Sequence, residues 1–566
     1  MILNGNGVAP GIAVGRVFVY KKNFILPSET FVQAGEEQSH LNRYLEIKEL
    51  AKKELNELIL SMQGDPGKAA IFNAHQEIID DIVINEEIPA KILNERRAGD
   101  WAIYQVYETV IAVLRETSDQ LIAERSADFE DVRTLLLRLW HGEKNTGLSV
   151  LKEPAIIAAD NLMPSDTASM DKNKVLAILT SAGGVTSHAA IIAKSYGIPT
   201  VMGIQGLLDV VKQGQLAAVN AGEGVVILNP DEGIISEYNK KSEALLSEKK
   251  YSETFRYNEA YTADGERIHI ALNLASAADT ELEAAAYTDS VGLFRTEFLF
   301  MGKDTLPSED EQFTAYKKIL ETYGERPVIL RTIDVGGDKP LSCIEMPNEG
   351  NPVLGNRALR FCFTHPEIFR TQIRAALRAS VHGNLWIMLP MAGSIDDIRR
   401  AKVQIAAIEG ELKKEGITCA KTKIGIMIEV PSIALIADIA AKEVDFASIG
   451  TNDLCQYLCA ADRMNSAVGS YYQSYHPAMF RLIKQIVAAF ANAGKPISIC
   501  GELASDPIAI PVLIGLGLRK LSMGAASVAD VKQAIADHTI KKAEDIAEKA
   551  LELATADAFP KLQRKQ

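Results

Sequence analysis

The apolar positions change period several times along the chain, and each change marks a structural element. Residues 7–20, Gly-Val-Ala-Pro-Gly-Ile-Ala-Val-Gly-Arg-Val-Phe-Val-Tyr, read as a turn and then a strand. From Glu36 to Met62 the spacing becomes helical. Leu41, Tyr44, Leu45, Ala51, Leu55, Leu58, Ile59 and Met62 recur close to every 3.6 residues. A Gly64-Asp65-Pro66-Gly67 break follows, and a second helical stretch carries Ile71, Phe72, His75, Ile78, Ile79 and Ile82. A third runs from Trp101 through Leu121 and a fourth from Asp128 to Trp140. Short breaks between such helices predict an antiparallel bundle.

Strand patterns resume at residues 154–159 and continue through 175–180, 200–202, 216–219 and 224–228, with glycines at 183, 184, 203, 214, 222 and 224 between them. The simplest topology returns the first strand to this sheet and makes the bundle an insertion. That divides the N-terminal half into an α/β domain of residues 1–33 and 144–230 and a helical insertion of residues 34–143. Residues 231–258 are polar and helical in character, a linker helix. Beyond it, over residues 259–566, strand and helix alternate. Candidate strands are 267–274, 290–294, 327–333, 384–390, 423–430, 444–449, 496–500 and 520–523. Eight such units predict a (β/α)8 barrel with its active site at the C-terminal strand ends. The fold class is therefore α/β multidomain.

A chain of 566 residues exceeds one hydrophobic core, and 47% hydrophobic with 24% charged residues fits a globular protein. No stretch reaches a membrane span, and Met1-Ile2-Leu3-Asn4-Gly5 lacks a basic leader, so a cytoplasmic location without membrane insertion is expected. The net charge of −14 argues against a nucleic-acid partner. Much of that charge lies in residues 34–143, where 22 Asp and Glu face 12 Lys and Arg, a surface suited to a basic partner. The six Cys have neither disulfide nor CxxC spacing.

The chemistry gathers in two places. The first is Gly183-Gly184-Val185-Thr186-Ser187-His188-Ala189-Ala190, a glycine turn between a buried strand and a helix. Backbone N–H groups at such a helix start suit an anion, so His188 is a candidate nucleophile whose phosphorylated form the helix would hold. The second is the set of polar residues at the barrel strand ends. Arg295, Arg331, Lys339, Arg357 and Arg463 suit a small, multiply charged anion. Glu429 and Asp453, from adjacent strands, are hard oxygen ligands suited to Mg²⁺. Cys500 is either packing or a proton donor at the same mouth.

Here the chain resembles enzyme I of the phosphoenolpyruvate:sugar phosphotransferase system along essentially its whole length. The resemblance rests on the residues from Gly183 to Ala193 and on Asp445 to Tyr457, running on to Arg463. Gly292 to Met301, Arg331 to Lys339 and Cys500-Gly501-Glu502-Leu503 add to it. It implies that His188 takes the phosphoryl group and that Arg295, Arg331, Arg357, Asn452 and Arg463 hold phosphoenolpyruvate with help from Lys339. It further implies that Glu429 and Asp453 bind Mg²⁺, with Mn²⁺ as a substitute, and that Cys500 protonates the pyruvate enolate. The insertion would dock a histidine phosphocarrier protein, and the barrel would form a homodimer. Val185, Lys194, Asn356, Met464 and Gly67-Lys68 depart from the family pattern. Two alternatives are a regulatory phosphotransferase that signals by phosphorylation state and a relative of pyruvate phosphate dikinase or phosphoenolpyruvate synthase. The latter needs a nucleotide-binding domain, for which the insertion is too short.

Overall fold

The computed structural model describes the chain apart from residues 22–25, 62–65, 117–124, 144–147, 149–150, 169, 184–187, 302, 304, 338, 340, 342, 345, 347–348 and 564–566. It divides into two compact units, Met1–Ser247 and Glu248–Gln566.

The first unit is built on an eight-stranded mixed sheet. Its strands are β1 (Ile2–Asn4), β2 (Asn6–Ala9), β3 (Ile12–Tyr20), β4 (Ala155–Ala159), β5 (Val175–Thr180), β6 (Thr200–Met202), β7 (Leu216–Asn220) and β8 (Val225–Leu228). They lie in the order β1-β8-β7-β3-β4-β5-β6-β2. β3 pairs in parallel with β4 and antiparallel with β7, so the N-terminal strand does return to the sheet formed after the helices. Pro10 has no backbone N–H, and Gly11 follows it at φ +150. There the stretch read as one turn and strand splits into β2 at the sheet edge and β3 near its centre. Along β4 the side chains alternate between two cores. Ile156 and Ala158 pack on one face, Ile157 and Ala159 on the other.

The inserted helices are α1 (Glu37–Ser61), α2 (Pro66–Ile79), α3 (Ile82–Leu93), α4 (Gly99–Glu116) and α5 (Ser126–Trp140). The expected second helix is in fact two. It stops before Asp81, whose carboxylate accepts from Ile84 N at 3.1 Å and caps a new helix. The bundle has its own core, with Tyr44, Phe72, Ile88, Tyr107 and Leu136 buried in it. His75 is buried there as well, its Nε2 3.5 Å from Asp128 Oδ1, so it packs and offers no surface for a carrier. A polar bond ties bundle to sheet: buried Asp131 accepts from Ser165 N at 2.9 Å and from Ser165 Oγ at 2.7 Å. Helix α6 (His188–Tyr196) lies on the sheet through Ala189, Ala190 and Ala193, and α7 (Glu232–Glu253) begins in this unit and ends in the second.

The second unit is a closed barrel of parallel strands. These are β9 (His269–Leu274), β10 (Ser290–Arg295), β11 (Val328–Arg331), β12 (Leu385–Leu389), β13 (Lys423–Ile428), β14 (Phe446–Gly450), β15 (Ile497–Cys500) and β16 (Lys520–Met523). Each pairs with its neighbours in chain order, and β16 closes on β9. The barrel interior holds Leu293, Ile329, Trp386, Met388, Met427, Phe446 and Cys500. Residues from Glu248 onward fall with the barrel, so the expected linker of residues 231–258 is divided between the two units.

Candidate active site

Charged side chains are costly to bury, yet the C-terminal ends of the barrel strands hold many. Arg295 ends β10, Arg331 ends β11, Glu429 follows β13, Asn452 and Asp453 follow β14, and Cys500 ends β15. Together with Glu297, Lys339, Arg463 and several apolar neighbours they line one cavity of about 220 Å³. Gly501 makes the strand end fit. Its φ is +96, and a Cβ there would stand 2.3 Å from Thr451 Oγ1.

Two carboxylates order the cations. Buried Asp334 meets Arg331 Nη1 at 3.0 Å, Lys339 Nζ at 3.0 Å and Arg357 Nη2 at 3.0 Å. Burial alone would raise its pKa, but these three cations outweigh burial and hold the carboxyl well below its usual range. Glu297 accepts from Arg331 Nη2 at 2.5 Å and from Lys339 Nζ at 3.2 Å. Sequence reasoning assigned neither acid a role, because an acid at a strand end looks the same whether it faces solvent or orders a buried arginine.

Arg357 does not line the cavity. It is fully buried behind the wall, bound to Asp334 and, at 3.2 Å, to Asp453 Oδ1. Asn356, beside it, turns its amide to Thr364 Oγ1 at 3.0 Å. Arg463 Nη1 stands 3.8 Å from Asp453 Oδ2. Arg295 forms no hydrogen bond or ion pair among the described residues and lines the cavity with its charge available. Asn452 also lines it, with Oδ1 accepting from Glu502 N at 3.0 Å.

Glu429 is almost wholly buried, and its Oε1 accepts from Met391 N at 2.7 Å. Burial first, then the charges of Asp453 and Asp334, push its pKa up. Among the described residues no three His, Cys, Asp or Glu side chains form a metal cage. Two carboxylates beside an anion pocket fit an ion such as Mg²⁺, which keeps waters and takes substrate oxygens. Cys500 is buried in the cavity wall, and burial raises its thiol pKa above the ordinary value.

The other expected centre is His188. It begins helix α6, after Gly183 at φ +98. Residues 184–187 and the His188 side chain lie outside the described residues.

Residues 249–540 match the family model described as PEP-utilising enzyme, PEP-binding domain. Residues 151–224 match PEP-utilising enzyme, mobile domain, and residues 4–125 match PEP-utilising enzyme, N-terminal. The chain is 38% identical over 559 residues to the phosphoenolpyruvate-protein phosphotransferase of Staphylococcus carnosus (strain TM300), covering 98% of this chain and 97% of that one. The phosphoenolpyruvate-protein phosphotransferase of Geobacillus stearothermophilus is 38% identical over 559 residues, covering 98% and 96%. An NMR solution structure described as Enzyme I (nEIt) is 33% identical, covers 43% of this chain and 99% of that chain, and aligns with a TM-score of 0.39.

Proposed function

The chain belongs to the phosphoenolpyruvate-protein phosphotransferase family, and from that premise we propose which of its residues carry each step. Its reaction is phosphoryl transfer from phosphoenolpyruvate to protein, the entry step of a sugar phosphotransferase system. The observation that carries the residue-level reading is the cavity at the barrel mouth, which arginine and lysine cations, three carboxylates and a thiol line together.

Arg295, Arg331, Lys339 and Arg463 bind the carboxylate and phosphoryl oxygens of phosphoenolpyruvate, and Asn452 orients them. Arg357 supports the site from behind through Asp334 and Asp453. Glu429 and Asp453 would hold Mg²⁺, or Mn²⁺, which would supply charge neutralisation for the transferring phosphoryl group when bound. His188 attacks the phosphorus in line, and the P–O bond to the enol oxygen breaks. The enolate left behind takes a proton at C3 from the Cys500 thiol, giving pyruvate. The helix start of α6 favours the phosphorylated His188.

Phosphohistidine then passes its phosphoryl group to a histidine of a small carrier protein docked on the acidic helical insertion, residues 34–143. The N-terminal α/β domain, residues 1–33 and 144–230, swings to serve both partners, and the barrel, residues 259–566, binds substrate and pairs as a homodimer. All of this takes place in the cytoplasm. A regulatory phosphotransferase and a dikinase relative are the disfavoured alternatives, because the matched relatives along 98% of the chain carry the phosphotransferase name.

Pyruvate release tests the reading. The full chain with Mg²⁺ and carrier protein should release pyruvate from phosphoenolpyruvate continuously, and without carrier only about one equivalent per chain. Chelation should stop label transfer from phosphoenolpyruvate and spare exchange between His188 and the carrier. Equal loss of both would remove Glu429 and Asp453 from the metal role.

A further inference from the structure

Two cations of the cavity, Arg331 and Lys339, are held in a closed ring of alternating charge. Glu297 Oε1 bonds Arg331 Nη2 at 2.5 Å, and Arg331 Nη1 meets Asp334 Oδ2 at 3.0 Å. Asp334 Oδ2 meets Lys339 Nζ at 3.0 Å, and Lys339 Nζ returns to Glu297 Oε1 at 3.2 Å. Both terminal nitrogens of Arg331 are therefore committed to carboxylates, so the plane of its guanidinium is set before any substrate arrives.

The two acids of the ring differ. Asp334 lies behind the wall and is saturated by cations. Glu297 lines the cavity, is 2% exposed, and among the described residues its buried Oε2 has no hydrogen-bond partner. A buried charged oxygen left unpaired is costly. The bonds to Arg331 and Lys339 use only Oε1, so the carboxylate brings a full negative charge to the wall of a pocket lined by cations.

We propose that Glu297 is a positioning residue for phosphoenolpyruvate: it fixes Arg331 and Lys339 in their reacting orientation and, through its negative charge in the cavity wall, holds back ground-state binding of the anion. The inference rests on the reading of the cavity as the phosphoenolpyruvate site. The two roles separate in kinetics. A fixed guanidinium lowers the barrier, because orientation is settled in advance. A carboxylate charge beside a multiply charged anion weakens its binding before reaction. Holding substrate less tightly without losing transition-state contacts favours turnover.

The test uses the full chain with Mg²⁺ and carrier protein, reading pyruvate release. Glu297→Gln keeps the shape and one oxygen for Arg331 but removes the charge. It should lower KM for phosphoenolpyruvate several-fold and lower kcat on the order of tenfold. Glu297→Asp keeps the charge but shortens the reach, and should lower kcat to a similar degree without lowering KM. A purely structural role would reduce the active fraction and leave KM unchanged. That result, or unchanged kinetics in Glu297→Gln, would overturn the proposal. Should Glu297→Gln not fold, the Glu297→Asp result decides, with an unchanged kcat overturning it. A wild-type chain that released no pyruvate would overturn the reading of the cavity itself. An active wild type with an unaltered Glu297→Gln would overturn only this inference.

Discussion

Cys500 lines the cavity and belongs to the apolar barrel interior with Leu293 and Met427. It donates to Ile449 O at 3.5 Å. Burial, above all, raises its pKa, so it stays protonated through neutral and mildly alkaline pH and keeps a proton to give. Cys500→Ser should slow pyruvate formation strongly with little change in KM, since a hydroxyl is a far weaker acid. The pyruvate-release assay checks this, and unchanged turnover with weakened binding would make Cys500 a packing residue. Most residues of the cavity were readable as charged side chains at the ends of buried runs, which is why Arg295, Arg331, Glu429 and Asp453 could be picked out. What could not be read was who faces whom. Arg357 resembles its neighbours in sequence but stands behind the wall, and Glu297 and Asp334 are quoted in the same motifs without a role. Their pairing depends on strands β10 and β11 lying side by side, which periodicity does not specify.

The barrel strands were legible as elements because parallel strands buried on both faces appear as short apolar runs between glycines and prolines. Helix α3 was not, because its start is marked by the Asp81 cap and not by a glycine or proline. The start of the second unit shows another arrangement invisible in sequence. On the helix Val528–Ala536, buried Lys532 donates to the carbonyls of Arg256 and Asn258 and to that of Tyr287, at 2.6, 2.7 and 2.7 Å. Its ammonium bolts the end of the expected linker to the barrel. Burial lowers the Lys532 pKa to about 8 against the attraction of Asp289. Between that value and the ordinary lysine range the unfolded chain binds a proton the folded chain has lost, so stability rises with pH across this window. Below pH 8 the folded state carries the cost of the buried charge. Urea unfolding from pH 7.5 to 9.5 should show the rise in the wild type, and Lys532→Met should lose it while being less stable at every pH, its three carbonyls left unbonded. An equal slope in both proteins would remove Lys532 as the cause.

Over the whole molecule, the candidate nucleophile begins helix α6 in the unit Met1–Ser247, and the anion cavity lies in the unit Glu248–Gln566. Each unit has its own hydrophobic core. This two-part plan was legible in the sequence, since the shift from glycine-punctuated strands to a polar helix and then to regular strand–helix alternation reflects real changes of packing. The seam between the units falls inside the expected linker of residues 231–258, at a point that a uniformly polar helical stretch does not mark. The structure starts the second unit at Glu248, so a cut after residue 258 would strip the barrel of segments that Lys532 holds. The proposed division of labour has phosphoenolpyruvate react on one unit and His188 on the other receive its phosphoryl group. The most direct measurement follows label from radiolabelled phosphoenolpyruvate into the full chain, the full chain carrying His188→Ala, and a fragment of residues 1–247. The account predicts acid-labile label on the full chain alone, with the fragment accepting label only from phosphorylated carrier protein. Label on the His188→Ala chain, or on the fragment given phosphoenolpyruvate, would contradict it.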